Sequence, residues 1–277
     1  MNSKSIKNHL KAKLNDWCNT IDDYKVRQVI CNNAIITGGA IVSLLTDEPV
    51  NDYDVYFQTK DACKIVAEYY VEKWKDIHPG GHYIEVRDDD DRVSVYIGSA
   101  GIVTEQEQPM SINLLGLPDE EKPDEKYRPI CMTSNAITLS DKIQVVTRFY
   151  GNVEEIHKNY DFAHCTCSWS AQNNELILPP KALECILTKE LCYIGSKYPL
   201  SSLIRTRKYL QRGYHINAGQ YVKMAFQLNE LNLRDPDVLK DQLIGVDSSY
   251  FLQLLGAIQS EHEIDSTHLI ELIDQIF

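Results

Sequence analysis

Two aspartates, Asp52 and Asp54, stand two residues apart in a segment that alternates polar and apolar side chains up to Phe57. This alternation predicts a strand, on which residues i and i+2 face the same side. Two carboxylates about 5 Å apart repel each other by roughly 3 kcal/mol at an effective dielectric constant near 20. A cation or a proton must therefore lie between them, and Mg²⁺, which prefers oxygen ligands and retains several waters, suits the pair.

A glycine turn precedes these aspartates in the chain. Ala34 to Ile36 reads as a buried strand, Gly38 and Gly39 follow it, and Ala40 to Leu45 has helical spacing. Glycine lets the backbone approach a ligand closely, and a helix N-terminus offers free N–H groups and a positive dipole end that favour phosphate. Thr37 and Ser43 add hydroxyl groups nearby. A phosphate cradle beside a metal-binding carboxylate pair is equipment for phosphoryl or nucleotidyl transfer.

The segment 35–57 resembles the signature of the DNA polymerase β-like nucleotidyltransferase superfamily. That signature is a hydrophobic residue, Gly-Gly or Gly-Ser, a helical spacer, and then Asp-hydrophobic-Asp on a strand. The matching residues span about 20 positions and are Ile36, Gly38, Gly39, Asp52, Tyr53, Asp54 and Val55. Thr37, inserted before the glycines, is a mild departure. The resemblance implies a two-metal Mg²⁺ site and a nucleoside triphosphate substrate such as ATP.

The resemblance also implies a third carboxylate on a later strand. Asp161, flanked by Tyr160 and Phe162, is our choice because its surroundings look like a strand. Glu85 and Asp91 are rivals, since each lies beside a possible strand. With Asp161, the predicted catalytic and metal-binding set is Asp52, Asp54 and Asp161.

A second, looser similarity lies further along the chain. Asp161-Phe162, followed by an arginine-rich helix, is similar to CCA-adding enzymes and poly(A) polymerases, although Asn159-Tyr160-Asp161 replaces their Arg-Arg-Asp. We do not infer tRNA as the substrate from it. The arrangement as a whole is similar to nucleotidyltransferase-like proteins of tailed bacteriophages.

The predicted helix within residues 201–213 carries a local charge of +4 and no acid. Arg205 and Lys208 share one of its faces at helical spacing, with Arg212 one turn on. They are therefore candidates for binding a triphosphate or an acceptor nucleic acid. Ion pairing with the acidic N-terminal half is an equally good interpretation.

Periodicity predicts an α+β fold: a nucleotidyltransferase-like mixed sheet with flanking helices in residues 1–178, and an all-helical part in residues 179–277. Asp88 to Asp91 is predicted as a charged hairpin tip, and 105–125 as a loop. Strands are expected at 92–97, 130–139 and 160–169. Helices are expected at 3–21, 22–31, 60–75, 141–150, 180–194, 200–212, 217–230, 236–243, 247–258 and 265–277.

Composition bounds the remaining classes. The 277 residues carry 40 acids against 28 bases, a net charge of −12, which argues against a protein that coats nucleic acid with its whole surface. No apolar run is long enough to span a membrane, and the first residues do not form a signal peptide. We therefore expect a cytoplasmic chain, in the host cytoplasm if viral, with its 8 cysteines reduced. His164, Cys165 and Cys167 lack a second ligand pair at zinc spacing.

Two functions follow as hypotheses. The first is a Mg²⁺-dependent nucleotidyltransferase that moves a nucleotidyl group from an NTP to a hydroxyl of RNA, a protein or a small molecule. The second is a catalytically inactive protein of the same fold that serves as a structural or interaction protein, possibly viral. The motifs of serine hydrolases, P-loop NTPases and zincins are absent from the sequence.

Overall fold

A computed structural model describes residues 1–78, 83–89, 92–98, 112–113 and 125–243. The chain divides into two compact units. Residues Met1–His157 and His164–Leu183 form the first, and residues Lys158–Ala163 and Glu184–Phe277 form the second. The short segment Lys158–Ala163 thus leaves the first unit and belongs with the C-terminal helices.

The helices begin at polar caps where the sequence offers them. Asn2 caps α1, Asp23 caps α2 and Thr59 caps α4, each accepting hydrogen bonds from backbone N–H groups of the first turn. The helices that precede the C-terminal bundle are α1 Ser3–Asn19, α2 Tyr24–Asn33, α3 Gly39–Thr46, α4 Lys60–Ile77, α5 Val153–His157 and α6 Pro180–Thr188.

The first unit is built on a mixed sheet. Its strand order is β10-β9-β1-β2-β8-β7-β6-β5, and β3 and β4 form a separate hairpin. The β2–β8 pair is parallel, and the other pairs are antiparallel. The strands are β1 Ala34–Thr37, β2 Tyr53–Phe57, β3 Tyr83–Asp89, β4 Arg92–Gly98, β5 Ile112–Asn113, β6 Pro129–Met132, β7 Ala136–Leu139, β8 Ile143–Tyr150, β9 Ser168–Ser170 and β10 Glu175–Ile177.

Helix α1 buries the apolar stripe that its sequence predicts. Ile6, Leu10, Leu14 and Trp17, spaced three or four residues apart, are at most 3% exposed. The indole Nε1 of Trp17 donates to the hydroxyl of Tyr70 on α4 at 2.5 Å, so this buried polar pair is satisfied. The stripe therefore joins two of the helices that flank the sheet.

The second unit is helical, with α7 Pro199–Gln211, α8 Ala218–Asn229 and α9 Pro236–Leu243 in its described part. Its core forms around Phe162, which is fully buried against Leu191, Tyr193, Tyr214 and Met224. The fold class expected from the sequence is confirmed: a mixed sheet with flanking helices, followed by a helical C-terminal part.

Several predicted elements were wrong. The single strand expected at 130–139 is two antiparallel strands, β6 and β7. Residues 143–150 form strand β8, not a helix, because β-branched and aromatic residues, which favour strands, predominate there and the segment pairs with β2 and β7. Residues 160–169 are not one strand, since a 3-10 turn at Ala163–Cys165 separates Asp161 from β9. Helix α6 ends at Thr188 rather than at residue 194.

The structure describes only part of the acidic run 88–91 and of the predicted C-terminal helices. Asp88 lies in the β3–β4 hairpin, where its carboxylate pairs with Lys60 at 2.7 Å and Lys64 at 2.9 Å. Asp90 and Asp91 lie outside the described residues, as do most of residues 105–125 and the helices predicted at 247–258 and 265–277. Within 105–125, where a loop was predicted, Ile112–Asn113 form strand β5, which pairs with β6.

Candidate functional site

The glycine turn is the most constrained piece of backbone at the site. Gly38 has φ 89° and ψ −145°, a conformation essentially limited to glycine. Helix α3 begins at Gly39 with no side chain capping its first turn. A Cβ built on Gly39 would meet nothing within 4 Å, so there is open space at the helix N-terminus. A ligand group could approach the backbone there, as the sequence predicts.

The aspartate pair flanks the start of β2. Asp52 is exposed and immediately precedes the strand, and Asp54 is its second residue and half-buried. Tyr53, between them, is buried and its hydroxyl hydrogen-bonds His9 Nε2 at 2.7 Å. Since neighbouring strand residues point to opposite faces, Asp54 takes the face opposite Tyr53.

Strand registers place Asp54 in a row of polar residues that crosses the sheet. Ile36 pairs with Val55, so the next residue of β1, Thr37, comes opposite Asp54. Thr37 pairs in turn with Ser168 on β9, and Asp54 with Gln144 on β8. Side chains at paired positions share one face. The row, continued by Thr138 on β7, therefore places Asp54 opposite the residue that precedes the glycine turn.

The hydroxyl of Thr37 anchors the residue that immediately precedes the glycine turn. Thr37 is fully buried, and its Oγ1 donates to the Cys167 carbonyl at 2.8 Å and contacts His157 Nε2 at 2.8 Å. Burial lowers the pKa of His157 to about 4, so its imidazole is neutral at physiological pH. The Thr37 hydroxyl is committed to these two partners, which makes it a part of the turn's support.

Ser43 lies in the second turn of α3 and is 7% exposed. Its carbonyl accepts hydrogen bonds from the N–H groups of Asp47 and Glu48 and closes the helix. Its place in the same helix as Gly39 keeps it close to the turn, and its predicted role toward a nucleotide stays a prediction.

Asp161 lies in the second unit, in a bend and not on a strand. It is 3% exposed, and its Oδ2 accepts a hydrogen bond from Arg205 Nη1 at 2.9 Å. Its carbonyl accepts from the N–H of Ile194 at 2.9 Å, beside a β-bridge between Phe162 and Tyr193. These contacts tie the Asp161-Phe162 segment to the core of the helical unit.

The residues suit magnesium by chemistry, since Asp52 and Asp54 offer carboxylate oxygens and leave coordination positions for water and phosphate. Over the described ranges, however, no group of three or more His, Cys, Asp or Glu residues is arranged to hold a metal ion. The rival Glu85 pairs with Arg87 at 2.9 Å. A hydrogen bond from the Tyr83 hydroxyl is the main reason that the pKa of Glu85 is lowered.

The predicted nucleotide-binding cations on α7 have different surroundings. Arg205 is engaged by Asp161, and Lys208 is exposed in the last turn of the helix. The ion-pairing interpretation of this helix is therefore realised at Arg205, although its acidic partner is in the same unit.

A groove of about 560 Å³ lies on the Tyr53 side of β2, lined in part by His9, Lys13 and Lys142. Lys13 donates to the Tyr127 hydroxyl at 3.0 Å and to the Asp141 carbonyl at 2.6 Å. Because Tyr53 and Asp54 point to opposite faces, this groove is separate from the Asp54 row.

Sequence reasoning missed His157 and Gln144. His157 is 120 residues from Thr37 along the chain, and no spacing pattern links the two. Gln144 was placed in a predicted helix, and its position beside Asp54 follows only from the parallel β2–β8 register. The concentration of β-branched and aromatic residues over 143–150, which is typical of a strand, was the available signal.

Within the described part of the chain, no helix has both the length and the apolar character that crossing a membrane requires.

Three solved structures share the broad outline: a Thermotoga maritima CCA-adding enzyme complexed with tRNA, a Bacillus stearothermophilus CCA-adding enzyme in complex with CTP, and a tRNA-processing enzyme with CTP. Their identities are 11%, 13% and 11%, and their TM-scores 0.40, 0.34 and 0.40. The matches cover 92%, 80% and 91% of this chain and 51%, 47% and 55% of theirs. Likenesses this distant support no statement about the reaction.

A curated relative is closer in sequence. "Gabija anti-defense 2" of Bacillus phage SPbetaL7 is 23% identical over 251 residues, which are 88% of this chain and 48% of the relative. The chain thus spans about half the length of that protein. Residues 8–189 match the family described as "Gabija anti-defense 2 family protein", and this match covers most of the sheet unit. The chain belongs to the Gabija anti-defense 2 family.

Proposed function

We propose that this chain is a phage-type anti-defence protein whose sheet unit binds a nucleoside triphosphate and transfers a nucleotidyl group in a Mg²⁺-dependent reaction. The observation that carries the proposal is the register that sets Asp54 opposite Thr37, next to the Gly38 turn and the uncapped N-terminus of α3. A carboxylate pair and an anion-binding helix end then serve the same ligand.

The proposed roles follow from the chemistry of each group. The backbone N–H groups at Gly38 and Gly39 bind the triphosphate, and the dipole of α3 favours its negative charge. Asp52 and Asp54 hold magnesium, which when bound neutralises charge that develops on the phosphates. Strand β2 pairs with β1 and β8 on its two sides, which holds in place the backbone that carries the Asp54 carboxylate.

In the second unit, the roles predicted from the sequence for Asp161 and Lys208 remain proposals. Asp161 as a third metal ligand competes with its role as the ion-pair partner of Arg205. Lys208, which is exposed, is the better proposed contact for a phosphate of the nucleotide or of an acceptor RNA. The acceptor hydroxyl belongs to RNA, a protein or a small molecule, and the family's name makes a component of the Gabija defence the partner that we propose.

Nucleotidyl transfer is tested by incubating the protein with each α-³²P-labelled NTP, Mg²⁺ and an extract of cells that carry the Gabija defence. We expect label to enter a macromolecule with wild type and to fall by at least about 100-fold in Asp54→Asn, the scale at which loss of a catalytic metal contact is felt. Asp76→Asn is the matched control, because Asp76 is an exposed carboxylate in the last turn of α4. Equal labelling by Asp54→Asn and wild type would reject the proposal.

The anti-defence role is tested by plating a phage that the Gabija defence restricts on cells that express the chain. We expect wild type and Asp76→Asn to restore plaques and the Asp52→Asn/Asp54→Asn double variant to fail. Failure of wild type itself would show that this chain lacks the role stated in the family's name.

The second candidate is an interaction protein without catalysis. It is favoured by the outer face of α8, where Val222 and Phe226, one turn apart, are 51% and 70% exposed. Under this hypothesis, Val222→Asp and Phe226→Asp abolish plaque restoration, and Asp52→Asn/Asp54→Asn retains it. The opposite result supports the transferase, so the two variant sets separate the functions.

A further inference from the structure

The buried end of β1 is held by a hydrogen-bond chain that no sequence motif marks. Thr37, the last residue of β1, is fully buried and precedes Gly38. Its hydroxyl contacts the Cys167 carbonyl and His157 Nε2, each at 2.8 Å. Cys167 immediately precedes β9, and His157 ends α5. Three segments therefore meet at one side chain.

The direction of each proton in this chain follows from the acceptors. A carbonyl oxygen can only accept, so the single Thr37 hydroxyl proton goes to Cys167. The same hydroxyl must then accept from His157, so the imidazole proton lies on Nε2. A neutral ring meets this requirement, and burial favours the neutral ring because it lowers the pKa of His157.

These hydrogen bonds hold the residue that immediately precedes Gly38, at the proposed phosphate site. Gly38 turns away from β1 at φ 89°, and its geometry depends on where Thr37 ends the strand. Ser168, the cross-strand partner of Thr37, is 1% exposed, and its Oγ has no hydrogen-bond partner among the described residues. Within this row, His157 and the Cys167 carbonyl are therefore the groups seen to hold Thr37 in place.

We propose that His157 is a positioning residue for the nucleotide site: its Nε2–H fixes Thr37 and thereby sets the Gly38-Gly39 turn that receives phosphate. This inference rests on the proposed function, and it adds a residue that no motif assigns. His157 acts through Thr37 and touches neither nucleotide nor metal. It reaches the turn from α5, which follows strand β8, the strand that also places Gln144 beside Asp54.

The test compares His157→Ala with His157→Gln, whose side-chain amide can donate from nearly the same place. With ¹⁵N-glycine labelling, the 13 glycines report on the free protein. We expect the Gly38 and Gly39 amide resonances to move in His157→Ala and to return in His157→Gln, and ATP–Mg²⁺ affinity to fall about tenfold and to be restored within about threefold. His215→Ala, at an exposed histidine of the other unit, is the control.

The outcomes separate this inference from the proposed function. If wild type binds no ATP, the proposed function fails, yet the glycine resonances still test the positioning of the turn. If Gly38 and Gly39 resonances and ATP affinity are the same in His157→Ala as in wild type, the inference is overturned. The ¹⁵N shifts of His157 provide a further check, because a proton on Nδ1 instead of Nε2 at pH 7 would also contradict it.

Discussion

Asp161 accepts a hydrogen bond from Arg205, with 2.9 Å between its Oδ2 and the guanidinium Nη1. The Asp161 side chain is 5% exposed and that of Arg205 is 38% exposed, so the pair connects a buried carboxylate with the surface of α7. The next residue, Phe162, is fully buried and packs edge-to-face on Tyr193 and Tyr209. The Asp-Phe segment that looked catalytic in the sequence thus anchors the helical unit.

This pair predicts a stability effect of Asp161→Asn. Loss of the charge-assisted hydrogen bond should lower the free energy of unfolding by about 1–3 kcal/mol, because the Arg205 guanidinium then meets a neutral amide instead of a carboxylate. Urea denaturation of Asp161→Asn, Arg205→Met and the double variant measures the coupling between the two side chains. Additive effects would contradict the pairing.

The same variant tests the predicted third metal ligand. If Asp161 only anchors α7, folded Asp161→Asn should bind ATP–Mg²⁺ as tightly as wild type. A large loss of Mg²⁺-dependent affinity with unchanged stability would instead restore Asp161 to the metal set.

The two glycines of the turn should respond differently to alanine. Gly38→Ala forces an L-residue into a glycine-only conformation and should cost about 1–3 kcal/mol of stability. Gly39→Ala meets nothing within 4 Å, so its stability should stay within about 1 kcal/mol of wild type. If phosphate sits against that backbone, the new methyl group blocks it. Thermal unfolding and ATP titration of both variants check this, and tight ATP binding by Gly39→Ala would place the phosphate elsewhere.

His157 predicts a dependence of stability on pH. In the folded chain the pKa of His157 is about 4, below the ordinary 6.5. Between these two pH values the unfolded chain therefore binds a proton at His157 that the folded chain does not bind. The stability contribution is complete above pH 6.5 and is lost as the pH falls toward 4, up to about 3 kcal/mol. Urea denaturation between pH 4 and 7 measures this slope, and His157→Gln should flatten it. An equal slope in both proteins would assign the effect to other groups.

Two thiols in the first unit should be open to oxidation. The Sγ atoms of Cys18 and Cys31 are 3.7 Å apart, at the pair of helices α1 and α2. Burial is the main reason that the pKa of Cys18 is raised, so Cys31, which is partly exposed, is the thiol that we expect hydrogen peroxide to oxidise first. Its sulfenic acid then condenses with Cys18, releasing water and forming one disulfide. Peptide mapping after peroxide treatment checks the link, and Cys31→Ser is the control that should not form it.

Local patterns accounted for the parts of the fold that depend on local physics. The stripe of α1, the glycine turn and the strand with Asp54 were predicted because burial periodicity and φ requirements are written in neighbouring residues. Residues 141–150 were predicted as a helix, whereas 143–150 form strand β8, whose parallel partner β2 lies far earlier in the chain. Pairing with β2 and β7 determines that these residues form a strand.

The contacts that hold Thr37 could not be predicted from the sequence either, because they join residues that are far apart in the chain. That Thr37 faces Cys167 and His157 depends on contacts across 130 and 120 residues, and no single-sequence pattern encodes such distances. Ion pairing with the acidic N-terminal half was one of two interpretations of the basic helix, and the sequence did not name Asp161 as the partner of Arg205. The contact selects ion pairing at Arg205 and leaves Lys208 at the surface.

The central claim is that Asp52 and Asp54 hold magnesium for a bound triphosphate, and calorimetric titration of ATP in Mg²⁺ and in EDTA tests it most directly. We predict that wild type and Asp76→Asn bind ATP in Mg²⁺ at least about tenfold more tightly than in EDTA, a difference of about 1.4 kcal/mol. In Asp52→Asn/Asp54→Asn this difference should vanish. A Mg²⁺ effect of the same size in the double variant, or no ATP binding by wild type, would contradict the account.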